Sequence, residues 1–327
     1  MQNIVPQKLK KGDEIRVVAP SSGIKIIGAD CRQIAKERFE AMGLKVTFGK
    51  NTTDDNFDLF GTTDIEKRAE DIMDAFQDSN VKAIFTIIGG FNSNQILPFL
   101  DYDIIKSNPK ILCGYSDITS LLNGIRAKTG LVTFYGPHYS TIGMKKGNEY
   151  TLDCIAKVLF EGQADIFPSN EWSDDLWFLD QENRNFIKND GWWILQSGRA
   201  EGVLCGGNLG TLVLLNGTPY QPKFVEDTIL AVEDCNYSKA DDEVFLRHFQ
   251  AIAQREDFVN VKAVIIGRFQ KASNLSRDKL EYIIANIPQL RDIPVIANID
   301  FGHTTPMATF PLGGKCVVES DKIKVRW

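Results

Sequence analysis

The sequence has few of the residues on which disulfide frameworks and metal sites depend. Its 327 residues include six cysteines and three histidines. The cysteines are widely spaced and form no Cys-x-x-Cys pair, which in a chain of this length favours free thiols over a disulfide framework. Because no histidine neighbours a cysteine, we expect no zinc site.

Long basic clusters and long apolar runs are also absent. Lysine and arginine total 37, aspartate and glutamate total 43, and the formal net charge is −6. No Lys/Arg cluster exceeds two residues, so the chain lacks the basic surface that binds nucleic acid. No apolar run approaches the ~20 residues of a membrane-spanning helix, and residues 1–11 lack the apolar core of a secretory signal. These absences predict a cytoplasmic protein that binds neither nucleic acid nor membranes.

The first half of the chain alternates strand and helix patterns. Short apolar stretches predict the strands 14–19, 45–48, 81–88, 111–114 and 131–134, and amphipathic stretches between them predict the helices 30–42, 64–76, 94–100 and 117–128. Such alternation is typical of an α/β domain with a Rossmann-like, doubly wound parallel sheet. Ligands of these sheets bind outside the carboxyl ends of the strands.

We divide the chain into a domain at 1–165, a loop at 166–198 and a second domain at 199–327. The loop contains four of the five tryptophans, including Trp172 and Trp177. Such a loop either is anchored to the surface by its aromatic rings or forms a lid that offers them to a flat ligand. The second domain has strand patterns at 229–232, 261–266 and 295–297 and ends in a predicted hairpin.

Ser116 lies where the strand pattern 111–114 changes to a helix pattern. A serine at such a corner stands clear of the sheet and faces the free N–H groups of the helix N-terminus, as a nucleophile does. Serine is also a favoured N-cap residue, so the position taken alone favours a capping role over a nucleophile. The sequence context has to distinguish the two interpretations.

A nucleophilic serine needs a base, and the base needs an orienting acid. His303 is the favoured base because it lies in a Gly/Thr/Pro turn after a strand; His138 also follows a strand, whereas His248 lies in a helix pattern. For the acid, Glu233 and Asp234 both end a strand. Side chains alternate between the two faces of a strand, so we expect only one of the two acids to serve the site. The strand pattern does not indicate which of them it is.

The paired glycines Gly89-Gly90 follow another predicted strand. Their backbone N–H groups could hold an oxyanion, or the pair could form a tight turn only. Neither a GxGxxG nor a GxxxxGK[ST] pattern occurs there, so a nucleotide phosphate cradle is not indicated.

Five motifs together resemble the serine LD-carboxypeptidase family. They occur in that family's order, as Gly89-Gly90, Gly114-Tyr115-Ser116-Asp117, Gly206-Gly207-Asn208-Leu209, Glu233-Asp234 and Gly302-His303-Thr304. Segments 88–94 and 172–177 are more similar to the family's microcin C immunity branch. The muropeptide carboxypeptidases carry an arginine before the paired glycines and Tyr-Gly after them, where this chain has Ile88 and Phe91-Asn92.

The resemblance implies roles for individual residues. Ser116 would be the nucleophile, His303 the base and Glu233 the orienting acid, and the backbone N–H groups of Gly90 and Asp117 would form the oxyanion hole. It also implies a Rossmann-like N-terminal domain, a smaller β-rich C-terminal domain with the active site at their interface, and a homodimer. No metal and no cofactor is implied.

The immunity branch hydrolyses the amide between an aspartyl carboxylate and a nucleoside phosphoramidate. By resemblance, Trp177 would stack on the nucleobase, with Trp172 as the other candidate, and Asn92 and Asn208 would bind substrate. The sequence thus predicts a serine peptidase or amidase that acts on peptidyl- or aminoacyl-nucleotides. The alternatives are an LD-carboxypeptidase that removes the terminal D-Ala from muropeptide tetrapeptides and a binding protein without catalysis.

Overall fold

A computed structural model describes residues 3–53, 57–235 and 240–327. The α-helices are α1 (Ala29–Ala41), α2 (Ile65–Gln77), α3 (Tyr102–Ser107), α4 (Thr119–Thr129), α5 (Tyr139–Ile142), α6 (Glu149–Ala156), α7 (Leu209–Val213), α8 (Asp241–Ala253) and α9 (Arg277–Asn286). The strands are β1 (Glu14–Val18), β2 (Lys45–Phe48), β3 (Val81–Thr86), β4 (Ile111–Gly114), β5 (Thr133–Tyr135), β6 (Gln163–Ile166), β7 (Glu171–Trp172), β8 (Ile187–Lys188), β9 (Trp193–Gln196), β10 (Ala200–Asn208), β11 (Thr228–Glu233), β12 (Val261–Gly267), β13 (Val295–Ile299), β14 (Phe310–Leu312), β15 (Lys315–Glu319) and β16 (Lys322–Arg326).

The N-terminal sheet has the strand order β14-β5-β4-β3-β1-β2. Its strands β1 to β5 are parallel, as predicted, and only β14 pairs antiparallel. Four of the six residues of β3 form a continuous buried run, Ala83 to Thr86, as expected for a strand covered on both faces. The parallel order places the residues that follow β3, β4 and β5 at one edge of the sheet.

The C-terminal sheet has the order β6-β16-β15-β10-β11-β12-β13-β9. Its centre, β10 to β13, is parallel, and the flanking strands pair antiparallel. The predicted strands and the terminal hairpin are confirmed. The sequence patterns missed β14 and the five strands from β6 to β10. Because β6 spans residue 165 and pairs with β16, the strand lies across the proposed end of the first domain.

One apolar core extends between the two sheets. It includes Leu112 and Phe134 from the N-terminal sheet, Leu204 and Ile229 from the C-terminal sheet, and Phe310. A second core lies between the C-terminal sheet and helices α8 and α9. Within the three described ranges, no helix is both long and apolar enough to span a bilayer.

Close backbone approach brings the sheets together beside the site. Gly207 in β10 has φ 132°, and a Cβ at this position would lie 2.7 Å from Thr119 Oγ1 and 3.0 Å from Tyr135 Cε2. A side chain there would force the two sheets apart. The glycine therefore places the end of β10 directly against the start of α4.

Candidate active site

Ser116 occupies a strained corner between β4 and α4. Its φ is +58°, in the left-handed region that non-glycine residues rarely adopt. A short 3₁₀ helix, Ser116–Ile118, begins at the serine itself, and the N-cap position belongs to Tyr115. The capping interpretation of Ser116 is therefore wrong. The turn after β3 packs against the corner, since a Cβ on Gly89 would lie 3.2 Å from Ser116 Oγ.

A continuous chain of hydrogen bonds links Ser116 to His303 and Glu233. The Nε2 of His303 lies 2.9 Å from Ser116 Oγ, and its Nδ1 lies 2.7 Å from Glu233 Oε2. His303 reaches this position from the segment after β13. Gly302 makes the approach possible, because it has φ 99° and a Cβ there would lie 2.5 Å from Glu233 Oε2.

Neither of the other two histidines is hydrogen-bonded to Ser116. The Nδ1 of His138 lies 2.7 Å from Thr86 Oγ1, and His248 lies on α8. His138 is buried close to the site, with its ring centroid 4.2 Å from that of Tyr115. Burial, and then the proximity of His303, lowers the pKa of His138 well below 6.5. Of the three histidines, only His303 is paired with both a serine and a carboxylate.

Glu233 is fully buried and accepts three hydrogen bonds. Besides His303, the donors are the Tyr135 hydroxyl at 2.5 Å and the Asn208 Nδ2 at 3.1 Å. The same amide nitrogen lies 3.2 Å from Asp234 Oδ1. The expectation that the two acids face opposite sides is wrong, because β11 ends at Glu233 and strand alternation does not continue to Asp234.

Burial and pairing shift the pKa values of these groups in different directions. Burial would raise the pKa of Glu233, but His303 and the hydrogen-bond donors hold it below 4.5. Burial would lower the pKa of His303, but the Glu233 carboxylate raises it well above 6.5. Burial and the charge of Glu233 raise the pKa of Asp234 to about 7. The pair Glu233 and His303 therefore stabilises an imidazolium.

The two predicted oxyanion donors belong to the segments next to the serine. Asp117 follows Ser116 directly, and its carboxylate accepts a hydrogen bond of 2.9 Å from the Ser93 N–H. A Cβ on Gly90 would lie 2.2 Å from Ser21 Oγ, so only glycine fits at this turn. The turn and the start of the helix thus enclose Ser116. Their role as an oxyanion hole stays a prediction.

The amides of Asn92 and Asn208 are directed into the protein. Asn92 accepts hydrogen bonds from Ser21 Oγ and Arg68 Nη1 and donates one to Thr62 Oγ1. Asn208 donates to both acids, as described above, and its Oδ1 accepts two hydrogen bonds from Thr211. Both amides therefore bind protein groups, and the structure gives no support to the prediction that they contact substrate.

The two tryptophans predicted as candidates for base stacking, Trp172 and Trp177, line different cavities. Trp177 and His303 line the same small cavity, of about 20 Å³, and Trp177 also borders an apolar cleft of about 470 Å³ with Ile27 and Leu179. Trp172 instead lines a separate cavity, of about 510 Å³, and the charged groups of Arg268 and Lys271 both lie over its ring. Only Trp177 is placed next to the histidine.

The sequence reasoning missed Tyr135. Its hydroxyl accepts a hydrogen bond of 3.3 Å from the Ser116 N–H in addition to donating to Glu233. The available signal was its position at the carboxyl end of β5, the same edge that carries Ser116 and Gly89. Among the described residues, no group of three His, Cys, Asp or Glu side chains is arranged to hold a metal ion.

Two family models match the chain. Residues 15–136 match the LD-carboxypeptidase N-terminal domain, and residues 201–318 match the LD-carboxypeptidase C-terminal domain. The chain belongs to the LD-carboxypeptidase family. The resemblance seen in the sequence is therefore confirmed, and the family supports a serine carboxypeptidase or related hydrolase.

Relatives and solved structures place the chain near the microcin immunity branch. "Putative carboxypeptidase YocD" of Bacillus subtilis strain 168 is 51% identical, over 96% of this chain and 95% of the relative. The microcin C7 self-immunity protein MccF of Escherichia coli is 34% identical, over 88% and 87%.

Among solved structures, an MccF-like protein from Bacillus anthracis str. Ames superposes with a TM-score of 0.95 at 44% identity, over 99% of both chains. MccF in complex with aspartyl sulfamoyl adenosine superposes with a TM-score of 0.87 at 31% identity, over 99% of this chain and 98% of MccF. These likenesses confirm the fold class.

Proposed function

We propose that the protein is a serine amidase in which Ser116, His303 and Glu233 form the catalytic triad. The observation that carries the proposal is the continuous hydrogen-bonded chain from Ser116 Oγ through the imidazole to the buried Glu233. A serine hydroxyl is a weak nucleophile at neutral pH and requires a base within hydrogen-bond reach. His303 meets that requirement, and Glu233 orients the ring and stabilises its protonated form.

The reaction proceeds in two steps. Ser116 Oγ forms a bond to the substrate carbonyl carbon while His303 takes the hydroxyl proton, and the Gly90 and Asp117 N–H groups hold the oxyanion. The C–N bond then breaks, and His303 gives its proton to the leaving nitrogen. In the second step His303 takes a proton from water as the water oxygen bonds to the acyl carbon. The ester bond to Ser116 Oγ then breaks, and His303 returns the proton to that oxygen.

We infer further that the preferred substrates are amides of aminoacyl- or peptidyl-nucleotides. Two features support this class. Trp177 lines the small cavity of His303 and also borders the adjoining cleft of about 470 Å³, where its indole can stack on a flat base. The protein is also similar to MccF, a self-immunity protein whose structure has been solved with aspartyl sulfamoyl adenosine. We expect the protein to be a cytoplasmic homodimer. Analytical ultracentrifugation would measure the mass of the assembly.

An LD-carboxypeptidase acting on muropeptide tetrapeptides is the second candidate. It is favoured by two relatives of 47% and 51% identity, each of which carries the name "Putative carboxypeptidase". Ile88 and Phe91-Asn92 favour the nucleotide substrates instead, because they replace the pattern that the resemblance associates with muropeptide enzymes.

The decisive experiment offers both substrates to the purified protein and to Ser116→Ala. We expect the wild type to cleave aspartyl sulfamoyl adenosine faster than a muropeptide tetrapeptide, and Ser116→Ala to lose at least about 10⁴-fold in rate, as other triads do. Cleavage of the tetrapeptide alone would reverse the order of the two candidates. Full activity of Ser116→Ala on either substrate would refute the serine mechanism.

A further inference from the structure

The hydroxyl of Tyr135 closes a ring of hydrogen bonds around the site. It accepts from the Ser116 N–H at 3.3 Å and donates to Glu233 Oε1 at 2.5 Å. The other Glu233 oxygen lies against His303 Nδ1, and His303 Nε2 returns to Ser116 Oγ. Ser116 is therefore connected to Glu233 twice, through its side chain and through its backbone.

The proton of this hydroxyl has only one acceptor in the ring. Burial, and then the charge of Glu233, raises the pKa of Tyr135 well above 10, so the phenol stays protonated. An N–H group can only donate, and an ionised carboxylate can only accept. Tyr135 therefore gives its proton to Glu233 and accepts from Ser116 with an oxygen lone pair.

The packing of the tyrosine ring fixes the hydroxyl between two separate sheets. Tyr135 ends β5 of the N-terminal sheet, whereas Glu233 ends β11 of the C-terminal sheet. The tyrosine ring is nearly fully buried and contacts Tyr115 and Phe301 edge to face, each with a centroid distance of 6.3 Å. The rigid phenol ring of Tyr135 thus spans the interface between the two sheets, next to Ser116, His303 and Glu233.

Both ends of this connection have a physical consequence. At Ser116, the hydrogen bond to the N–H helps to hold a backbone with φ +58°, a conformation that is strained for a residue other than glycine. At Glu233, the carboxylate charge faces His303 and stabilises its imidazolium. The hydrogen bond donated by Tyr135 offsets part of that charge.

We propose that Tyr135 is a positioning residue that sets both the conformation of Ser116 and the proton affinity of His303. The inference rests on the proposed function, since it assigns a role in the same reaction.

The test is Tyr135→Phe, which keeps the ring and removes only the hydroxyl. We expect kcat to fall about 10- to 100-fold, the cost of a small misplacement of reacting groups, while KM changes less than twofold. Without the hydroxyl, the Glu233 charge is less neutralised and holds the proton on His303 more strongly. The acidic limb of the kcat/KM profile therefore shifts to higher pH.

The pH shift is specific only if other titrating groups are unchanged. The titratable groups that surround His303 are Glu233, Asp234, Cys235, Tyr115 and His138. Tyr135→Phe leaves all five in place. A pH titration of the His303 ring by NMR reads the same shift directly and needs no turnover.

Tyr139→Phe is the matched control. Tyr139 is also a nearly fully buried tyrosine of the N-terminal part, and its hydroxyl donates to the Arg32 carbonyl at 2.7 Å, away from the triad. We expect this variant to lose some stability and to retain the wild-type kcat and pH profile. If it reproduced both effects of Tyr135→Phe, the effects would be structural and the inference would be wrong.

A second variant covers the case in which Tyr135→Phe does not fold. Replacing Tyr135 by 3-fluorotyrosine retains the hydroxyl and makes it a stronger donor, so the acidic limb is expected to shift to lower pH. If the folded Tyr135 variants had the kcat and the pH profile of the wild type, the inference would be wrong. The proposed triad would still stand in that case, provided that Ser116→Ala is inactive. An active Ser116→Ala would instead refute the proposed function.

Discussion

The Oγ of Ser116 and the Nε2 of His303 lie 2.9 Å apart, although 187 positions separate the two residues in the chain. Ser116 follows a strand of the N-terminal sheet, and His303 follows a strand of the C-terminal sheet. The hydrogen bond between them exists only when both sheets are folded and docked. Changes at the sheet interface are therefore expected to affect kcat as well as stability.

The first prediction concerns the pH dependence of activity. A general base must be unprotonated, and the Glu233 carboxylate raises the pKa of His303 well above 6.5. We expect kcat/KM to rise with pH through the neutral range, with its midpoint above 6.5. Rate measurements between pH 5 and 10 on aspartyl sulfamoyl adenosine test this.

Glu233→Gln is the control for that profile. Glutamine keeps the size of the side chain and removes the charge that raises the pKa of His303. We expect a large loss of kcat together with a midpoint at lower pH than in the wild type. An unchanged midpoint would mean that a group other than the His303 and Glu233 pair controls the acidic limb.

The second prediction compares the loop tryptophans. Trp177 borders the cavity of His303, whereas Trp172 lines a different cavity. Loss of a base-stacking side chain costs about 1–3 kcal/mol, so Trp177→Ala is expected to raise KM for the nucleotide substrate about 10- to 100-fold. Trp172→Ala should change it less than threefold. An aspartyl amide without a nucleoside provides the reference substrate; equal effects of Trp177→Ala on both would exclude stacking.

The third prediction concerns the buried ion pair of Asp300 and Arg268. The pair lies at 2.6 Å with both side chains almost fully buried, and Asp300 also accepts hydrogen bonds from Ser169 and Trp192. Removing one charge from such a pair typically costs 3–5 kcal/mol. We expect Asp300→Asn to lower the free energy of unfolding in urea by about that amount.

An exposed ion pair provides the comparison for Asp300→Asn. Arg277 and Glu281 pair at 2.8 Å on α9, with about half of each side chain exposed. Glu281→Gln should cost less than about 1 kcal/mol, because solvent screens surface pairs. A similar loss in both variants would show that the burial of Asp300 does not determine its contribution.

The fourth prediction concerns stability at neutral pH. Burial and the charge of Glu233 raise the pKa of Asp234 from 3.8 to about 7. Between these pH values the folded protein retains a proton that the unfolded chain releases. The contribution of Asp234 to the free energy of unfolding therefore decreases as the pH rises from about 4 to 7. The decrease is up to roughly 4 kcal/mol, at 1.36 kcal/mol per pKa unit.

Asp234→Asn does not titrate and should remove this decrease. Urea unfolding of both proteins at pH 5 and pH 8 measures the difference, and the variant is expected to gain relative to the wild type at pH 8. Asp165→Asn, at an exposed site, controls for the loss of one negative charge. An equal pH slope in the wild type and in Asp234→Asn would contradict the assignment.

Most of the elements that hold the site could be predicted from local patterns. The strands β3, β4 and β11 are short apolar stretches bounded by polar or glycine residues, and each precedes a group of the site. The corner at Ser116 was visible because an apolar strand pattern changes to a helix pattern within three residues. Local sequence was therefore sufficient to place Ser116 at a strand-to-helix corner beside the turn after β3, whereas its role as a nucleophile was implied only by the family resemblance.

What could not be predicted depends on contacts between distant segments. Asn208 resembled a ligand-binding residue, yet its amide donates to Glu233, the last residue of the neighbouring strand, and to Asp234, which follows it. Tyr135 was missed because its hydrogen bond to Glu233 crosses the interface between the sheets. The strand β14 was missed because three residues carry too little periodicity to predict pairing with β5.

The short strand β14 has a consequence for the folding of the chain. It follows His303 in sequence but completes the edge of the N-terminal sheet beside Tyr135. A fragment that ends before residue 199 would lack this strand and expose β5 as a free edge, a surface prone to aggregation. The two halves of the protein are therefore expected to be inseparable: neither should fold independently, and their co-expression should recover activity only by reassembly around β14.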